Sequence, residues 1–159
     1  VLGDLARIEN DYARARVHYE KALELIRPTG NSFELPALLH NLGYVAVAEG
    51  KIEEAQRLFE ESLTQHLAMD NKMGIAETLA GFAAVAARRG EPERAARLFG
   101  AVDAMWEAAK MPMWPAERAD WERNVAHACA QLDEPTWQRL WQEGRSMSRE
   151  ASVAYALER

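Results

Sequence analysis

The sequence predicts an all-α fold, a right-handed superhelix of antiparallel helical hairpins with a 40-residue repeat. Three observations predict it. Segments of roughly 12 to 18 residues carry apolar side chains at i, i+3, i+4 and i+7, a spacing that gathers them on one helical face. No segment alternates with period two and no Asn-Gly or Asp-Gly turn occurs, so no strand is read. The text also repeats itself: Tyr19, Phe59 and Phe99 stand 40 residues apart, and so do Ala15, Ala55 and Ala95.

Each element follows from this register. Residues 1–30 read as a truncated first repeat, with Leu2, Leu5 and Ile8 already on a helical face. The chain begins with Val1 in mid-helix text, which points to a fragment of a longer chain. Pro28-Thr29-Gly30-Asn31 breaks the helix, and residues 31–70 form the second repeat, with Asn31 or Ser32 able to cap its first helix. Residues 71–110 form the third, capped by Asp70 or Asn71. The tight turn inside each hairpin falls at Asn10, Gly50 and Gly90, again 40 apart. Small residues recur where two antiparallel axes must approach, Gly43 and Ala83 on the first helices and Ala55 and Ala95 on the second. Large residues fill the wider gaps: Leu39, Leu42 and Phe59, then Leu79, Phe82 and Phe99. One hairpin cannot bury both of its faces, so hairpins stack.

The C-terminal part departs from this register. A shift of 42 places Trp121, Val125, Trp137, Trp141 and Gly144 at core-type positions, with Trp137 where a small residue belongs. Residues 115–145 are therefore read as a degenerate hairpin, with Asp133 as a cap and Pro135 in the first turn of its second helix. Residues 148–159, capped by Ser148 with Glu150 near the positive end, are read as a helix that closes the solenoid.

Leu42-Gly43, then Gly50, Ala55, Phe59 and Ser62, resembles the tetratricopeptide repeat (TPR) signature of leucine–glycine, turn glycine, alanine, aromatic and small residue. Such repeats are usually about 34 residues long. The 40-residue form, with a longer second helix, resembles the repeats of bacterial multi-domain signal-transduction ATPases and maltose-regulator-like transcriptional regulators. Leu98-Phe99-Gly100-Ala101, Pro115-Ala116-Glu117-Arg118, Trp141-Gln142-Glu143-Gly144-Arg145 and Ala154-Tyr155-Ala156-Leu157 resemble the C-terminal region of the same group. The resemblance implies a protein-interaction, scaffolding or sensory module of a cytoplasmic regulator. Its partner would be a protein or peptide segment, or a neighbouring domain of the same chain.

Composition narrows the function. The 159 residues suffice for one domain with a sizeable core, and a net charge of −6 opposes binding to nucleic-acid phosphates. No apolar run approaches the roughly 20 residues that span a bilayer, and no signal peptide is read, so a cytoplasmic location is expected. Cys129 is the sole cysteine, fits a small core position, and admits no internal disulfide. His18, His40, His66 and His127 lie in different helices without i, i+4 partners, so no metal site is read. Glu53-Glu54 and Glu60-Glu61 read as solvated, and no buried or coupled carboxylate pair for acid–base work is evident. With no Gly-rich phosphate loop, neither a cofactor nor catalysis is expected.

In the TPR fold the first helix of each hairpin lines a concave groove. Carried over by repeat position, that groove shows Asp4 and Arg7, then Ala37, His40, Tyr44 and Val47, then Glu77, Ala80, Ala84 and Arg88. His40, Tyr44, Val47, Glu77, Ala84 and Arg88 are the expected partner-binding residues. The set lacks the Lys and Asn residues of TPRs that clamp chaperone C-terminal carboxylates, so chaperone binding is not expected. The five tryptophans all lie between residues 106 and 141. They read either as core and cap packing or as an aromatic patch for a partner or a small-molecule effector. Met111, Met113 and Trp114, in a Pro-bounded loop, either fold back onto the cap or form a contact surface. The truncated N-terminal edge exposes Leu2 and Leu5, and the isolated fragment is expected to form a homodimer there as a consequence of the cut.

Overall fold

The computed structural model describes residues 2–29 and 33–158. Among them are nine α-helices and no strand: α1 (Leu2–Ile8), α2 (Tyr12–Ile26), α3 (Leu35–Ala48), α4 (Ile52–Ala68), α5 (Lys72–Arg88), α6 (Pro92–Ala109), α7 (Pro115–Cys129), α8 (Glu134–Arg145) and α9 (Arg149–Leu157). The first six pair as hairpins α1–α2, α3–α4 and α5–α6, and α2 packs on α3 as α4 packs on α5. This is the superhelix of helical hairpins that the repeat predicts.

The hairpin turns obey the repeat at the backbone level. Asn10, Gly50 and Gly90 all take a left-handed conformation, with φ of 60°, 76° and 76°. In each turn the next amide closes a six-residue loop onto the preceding helix, Asp11 to Ala6, Lys51 to Ala46 and Glu91 to Ala86. Glycine adopts this conformation freely, and asparagine tolerates it better than most residues.

Aromatic rings fill the space that small residues leave. The Phe59 ring lies between α3 and α5, so close that a Cβ added at Gly43 would stand 2.5 Å from it and one at Gly81 2.3 Å. Tyr19 repeats the arrangement against Gly3, at 2.4 Å. Ala55 and Ala95 are fully buried at the hairpin crossings. Among the expected caps, the Asn71, Asp133 and Ser148 side chains accept amide hydrogens three residues on, from Gly74, Thr136 and Ala151. The expected caps Asn31 and Ser32 lie outside the described residues.

Beyond α6 the chain does not continue as expected. Residues 115–145 do not close as a hairpin: α8 packs on α6, α7 on α5, α6 and α1, and the two touch through Trp121 and Trp141. Helix α8 lies along α6. Gly100 and Gly144 make that approach possible: a Cβ at Gly100 would stand 2.1 Å from the Trp141 carbonyl, and one at Gly144 1.9 Å from that of Arg97. Trp137 is buried, with its ring centroid 5.5 Å from that of Trp141. Helix α9 packs on α5 and α6, and Arg94 donates to the carbonyls of Tyr155, Ala156 and Glu158 at its C-terminal end. Helix α7 instead crosses onto α1, α5 and α6.

Candidate binding groove

The first helices α1, α3 and α5 supply the concave face, and α7 lies over it. Its buried stripe is Ala116, Asp120, Asn124 and Ala128, one residue per helical turn and all small or polar. Trp121, on an adjoining face, anchors the helix edge-on against Phe99 and Trp141, with ring centroids 5.2 and 6.1 Å apart.

Arg7 joins the two ends of the molecule. Only 1% of it is exposed. Its Nε donates to Oδ2 of Asp120 at 3.0 Å and its Nη2 approaches the same oxygen at 2.8 Å. Nη2 also reaches Glu117 at 3.4 Å, and Nη1 donates to Asn41 and to the Tyr19 hydroxyl. The guanidinium carbon stands 5.3 Å from the Tyr44 ring centre, a cation–π distance. Tyr19 in turn donates to Asp4 at 2.6 Å, and Tyr44 to the Glu77 carbonyl at 2.6 Å. Burial opposes the Arg7 cation, but Asp120 and Glu117 outweigh it and hold its pKa above the ordinary arginine value.

The groove is acidic around this one buried cation. Burial, reinforced by the Glu117 charge, pushes the Glu77 carboxyl up to about 8. Burial likewise raises Glu117 and Asp120, with Arg7 acting against it in both. The sequence shows no buried carboxylate pair, but α7 brings one, Glu117 and Asp120, onto Arg7. His40 faces Glu77, Nε2 to Oε2 at 3.5 Å, and its ring lies 5.8 Å from that of His66. Nδ1 of His40 and both ring nitrogens of His66 make no hydrogen bond to the protein. Burial holds both imidazoles neutral, at about 3 for His40 and about 4 for His66.

The sequence-predicted groove residues come together, but beneath a covering. His40, Tyr44, Val47 and Ala84 are buried, Glu77 is nearly so, and Arg88 alone of the six is exposed at the rim. They were expected to be open because the register cannot show that a later helix returns onto them. Between α7 and the floor a cavity of about 100 Å³ remains beside Tyr12, Tyr44, Arg88, Asp120, Arg123 and Asn124. Of the loop residues, Trp114 and Met111 are exposed, at 68% and 53%, whereas Met113 packs on the core. Trp106 and Trp137 are core, and Trp121 and Trp141 pack partly buried against it. A larger cleft of about 660 Å³ opens between α4, α5, α6 and the end of α9, lined mainly by charged side chains such as Glu53, Arg57, Arg89 and Arg94. Asp120, Glu117, Asn41, Tyr12 and Arg123 were not singled out from sequence. The signal present was the period-four run Ala116–Asp120–Asn124–Ala128, too small and polar to read as a buried face.

Cys129 is half-buried, and burial raises its thiol pKa. Among the described residues no group of three or more His, Cys, Asp or Glu side chains is placed to hold a metal ion, and no helix is long and apolar enough to cross a membrane. What the concave face holds is a helix, through the pairing of Arg7 with Asp120 and Glu117.

A family model described as tetratricopeptide repeat matches residues 1–65 and, overlapping them, 34–102. No curated protein and no solved structure matches the chain. Repeats of this kind generally mediate protein–protein interaction and scaffolding and are typically non-catalytic. With the three hairpins, their 40-residue register and the matched span in agreement, the chain belongs to the tetratricopeptide repeat family.

Proposed function

We propose that this chain is a protein-interaction and scaffolding module of a cytoplasmic signalling or transcriptional regulator, with no catalysis of its own. The observation that supports it is the occupied groove. A concave face built from the repeats accommodates one helix, in contact with α1 and α5, and engages it through Arg7. A surface that holds α7 in this way is suited to hold a protein segment. The regulator setting rests on the resemblance of the Leu98–Ala101, Pro115–Arg118 and Trp141–Arg145 stretches to the C-terminal region of such proteins.

Three surfaces are the proposed contact sites. The first is the groove, with His40, Tyr44, Val47, Glu77 and Ala84 as its floor and Arg88 at its rim. The second is the exposed pair Met111 and Trp114, beside which Met113 turns inward. The third is the outer face of α1, where Leu2, Leu5 and Ile8 are exposed and a second copy of the chain would dimerise. In the following repeats the equivalents of Leu2 and Leu5 are covered, Leu42 and Val45 in α3 and Phe82 and Val85 in α5.

The test is site-specific photo-crosslinking in cells, with a photoreactive residue placed at Trp114, Leu5 or Arg88 of the full-length protein and at Glu61 as a control. Adducts to another protein or to a neighbouring domain from the first three positions, and none from Glu61, support the reading. Absence of adducts from all three overturns it.

A further inference from the structure

We infer that the cleft between α4, α5, α6 and the end of α9 is a binding site for a small organic carboxylate, with its apolar body on α5 and its carboxylate between Arg89 and Arg94. The site lies apart from the groove: none of its lining residues belongs to α7 or to the six groove residues.

The 40-residue register makes two junctions of the stack comparable, α2–α3–α4 and α4–α5–α6. At the first, a cation closes the seam. Arg16 of α2 pairs with Glu49, just after α3, at 2.8 Å and with Glu54 of α4 at 2.9 Å. Lys51 adds a contact to Glu49 at 2.7 Å. Forty residues on, each of these positions changes sign or loses its charge. Gln56 stands in place of Arg16, Arg89 of Glu49, Glu91 of Lys51 and Arg94 of Glu54. The second seam is thus a charge-inverted copy of the first, with two cations for two carboxylates and a neutral residue for the ion that joined them. Among the described residues no carboxylate pairs with both Arg89 and Arg94, as Arg16 pairs with both Glu49 and Glu54. What would close this seam is an anion, and a cleft of about 660 Å³ stands open to receive one.

The bonds that the arginines do make leave that role unfilled. Arg89 pairs with Glu53, a side chain 83% exposed. Arg94 donates to backbone carbonyls at the end of α9 and approaches Glu91 only at 3.8 Å. Arg89 and Arg94 are 34% and 22% exposed, against 83% for Glu53 and 49% for Glu91, so the cations lie deeper than the acids beside them. The floor is apolar, formed by Phe82, Val85 and Ala86. A bare inorganic ion would leave that floor uncovered, whereas an organic anion covers it and presents a carboxylate to the guanidinium forks, whose planar donors match it. The volume falls within the roughly 300–1,000 Å³ of small-molecule sites.

Cinnamate provides the probe, and cinnamamide, uncharged and of nearly the same shape, its control. Binding of each to the intact chain is titrated by saturation-transfer NMR. One saturable site with at least ten-fold preference for cinnamate is expected. Arg89→Gln removes an ion pair to an exposed carboxylate, a change that costs little stability, and circular dichroism checks the fold. It is expected to weaken cinnamate at least five-fold and to leave cinnamamide unchanged. Arg139→Gln, on α8 and outside the cleft, is expected to change neither. The double variant Q56R/R89E copies the Arg16–Glu49 pair of the first junction and is expected to close the seam and abolish binding of both compounds. Should that variant unfold, Arg89→Gln decides alone. No saturable binding of cinnamate at millimolar concentration, equal affinity for the amide, or cinnamate affinity unchanged by Arg89→Gln overturns the proposal.

Discussion

Arg7 in the first helix donates to Asp120 in the seventh, a bond between side chains 113 residues apart in sequence. It ties the N-terminal repeat to the helix that covers the concave face, and both partners are almost entirely withdrawn from solvent. Breaking a buried pair costs about 3–5 kcal/mol, an upper bound here because Arg7 keeps Glu117, whereas replacing both partners by apolar groups is often nearly neutral. Asp120→Ala is expected to destabilise by at most that amount and Arg7→Met/Asp120→Leu by much less. Chemical denaturation of the two variants and the wild type measures the difference. Equal losses would show that the pair contributes through packing and not through charge.

The buried acid and the buried imidazoles predict a stability maximum near pH 6.5. Glu77 titrates at about 8 in the folded chain, so its proton is kept on folding wherever the unfolded carboxyl has lost its own. Stability therefore falls as pH rises toward 8, by at most about 1.4 kcal/mol per pH unit for one group. His40 and His66 stay neutral down to about 3 and about 4, while the unfolded imidazoles protonate near their ordinary 6.5. Stability falls on that side as pH decreases below 6.5. Glu77→Gln is expected to flatten the alkaline arm and leave the acid arm in place, as read by thermal melts between pH 5 and 9. An unchanged alkaline arm would assign it to other groups.

Ala55 is fully buried at the crossing of α3 and α4. Ala55→Leu adds bulk where the axes approach and is expected to cost roughly 1–3 kcal/mol. Gly144→Ala tests the crossing of α6 and α8, where the added methyl would meet the Arg97 carbonyl backbone at 1.9 Å. Helix α8 must then move away from α6, and near-ultraviolet circular dichroism of the packed tryptophans reports the change. A neutral Ala55→Leu would refute the repeat register.

The hairpin turns offer a paired test. A non-glycine residue at left-handed φ costs roughly 1–2 kcal/mol. Gly50→Ala is expected to destabilise by about 1 kcal/mol, since nothing lies within 4 Å of the added Cβ and only the backbone is strained. Asn10→Gly, at the equivalent turn, is expected to stabilise by a few tenths of a kcal/mol to about 1. Equilibrium unfolding resolves both, and matching signs would contradict the assignment of the two positions to one turn type.

How much of this was legible depends on the range of the interaction. Tyr19, Phe59 and Phe99 announce the hairpins because each ring sits against residues of its own or the adjoining repeat, and that local environment recurs every 40 residues. Asn71, Asp133 and Ser148 announce helix starts because a cap bonds an amide three residues away. The route of α7 had no such signal. Its groove-facing residues are small and polar, and its partner Arg7 lies at the far end of the chain.

By itself, then, the sequence determined the helices, their stacking as hairpins and the places of the tight turns, since propensity, capping and close packing between neighbours act over a few residues or one repeat. Only the tertiary structure decided that residues 115–145 part company, with α8 extending the stack and α7 closing the groove. Buried ion pairs and the close approach of Gly100 and Gly144 select that arrangement, and both depend on charges and surfaces that meet only after the chain has folded back on itself.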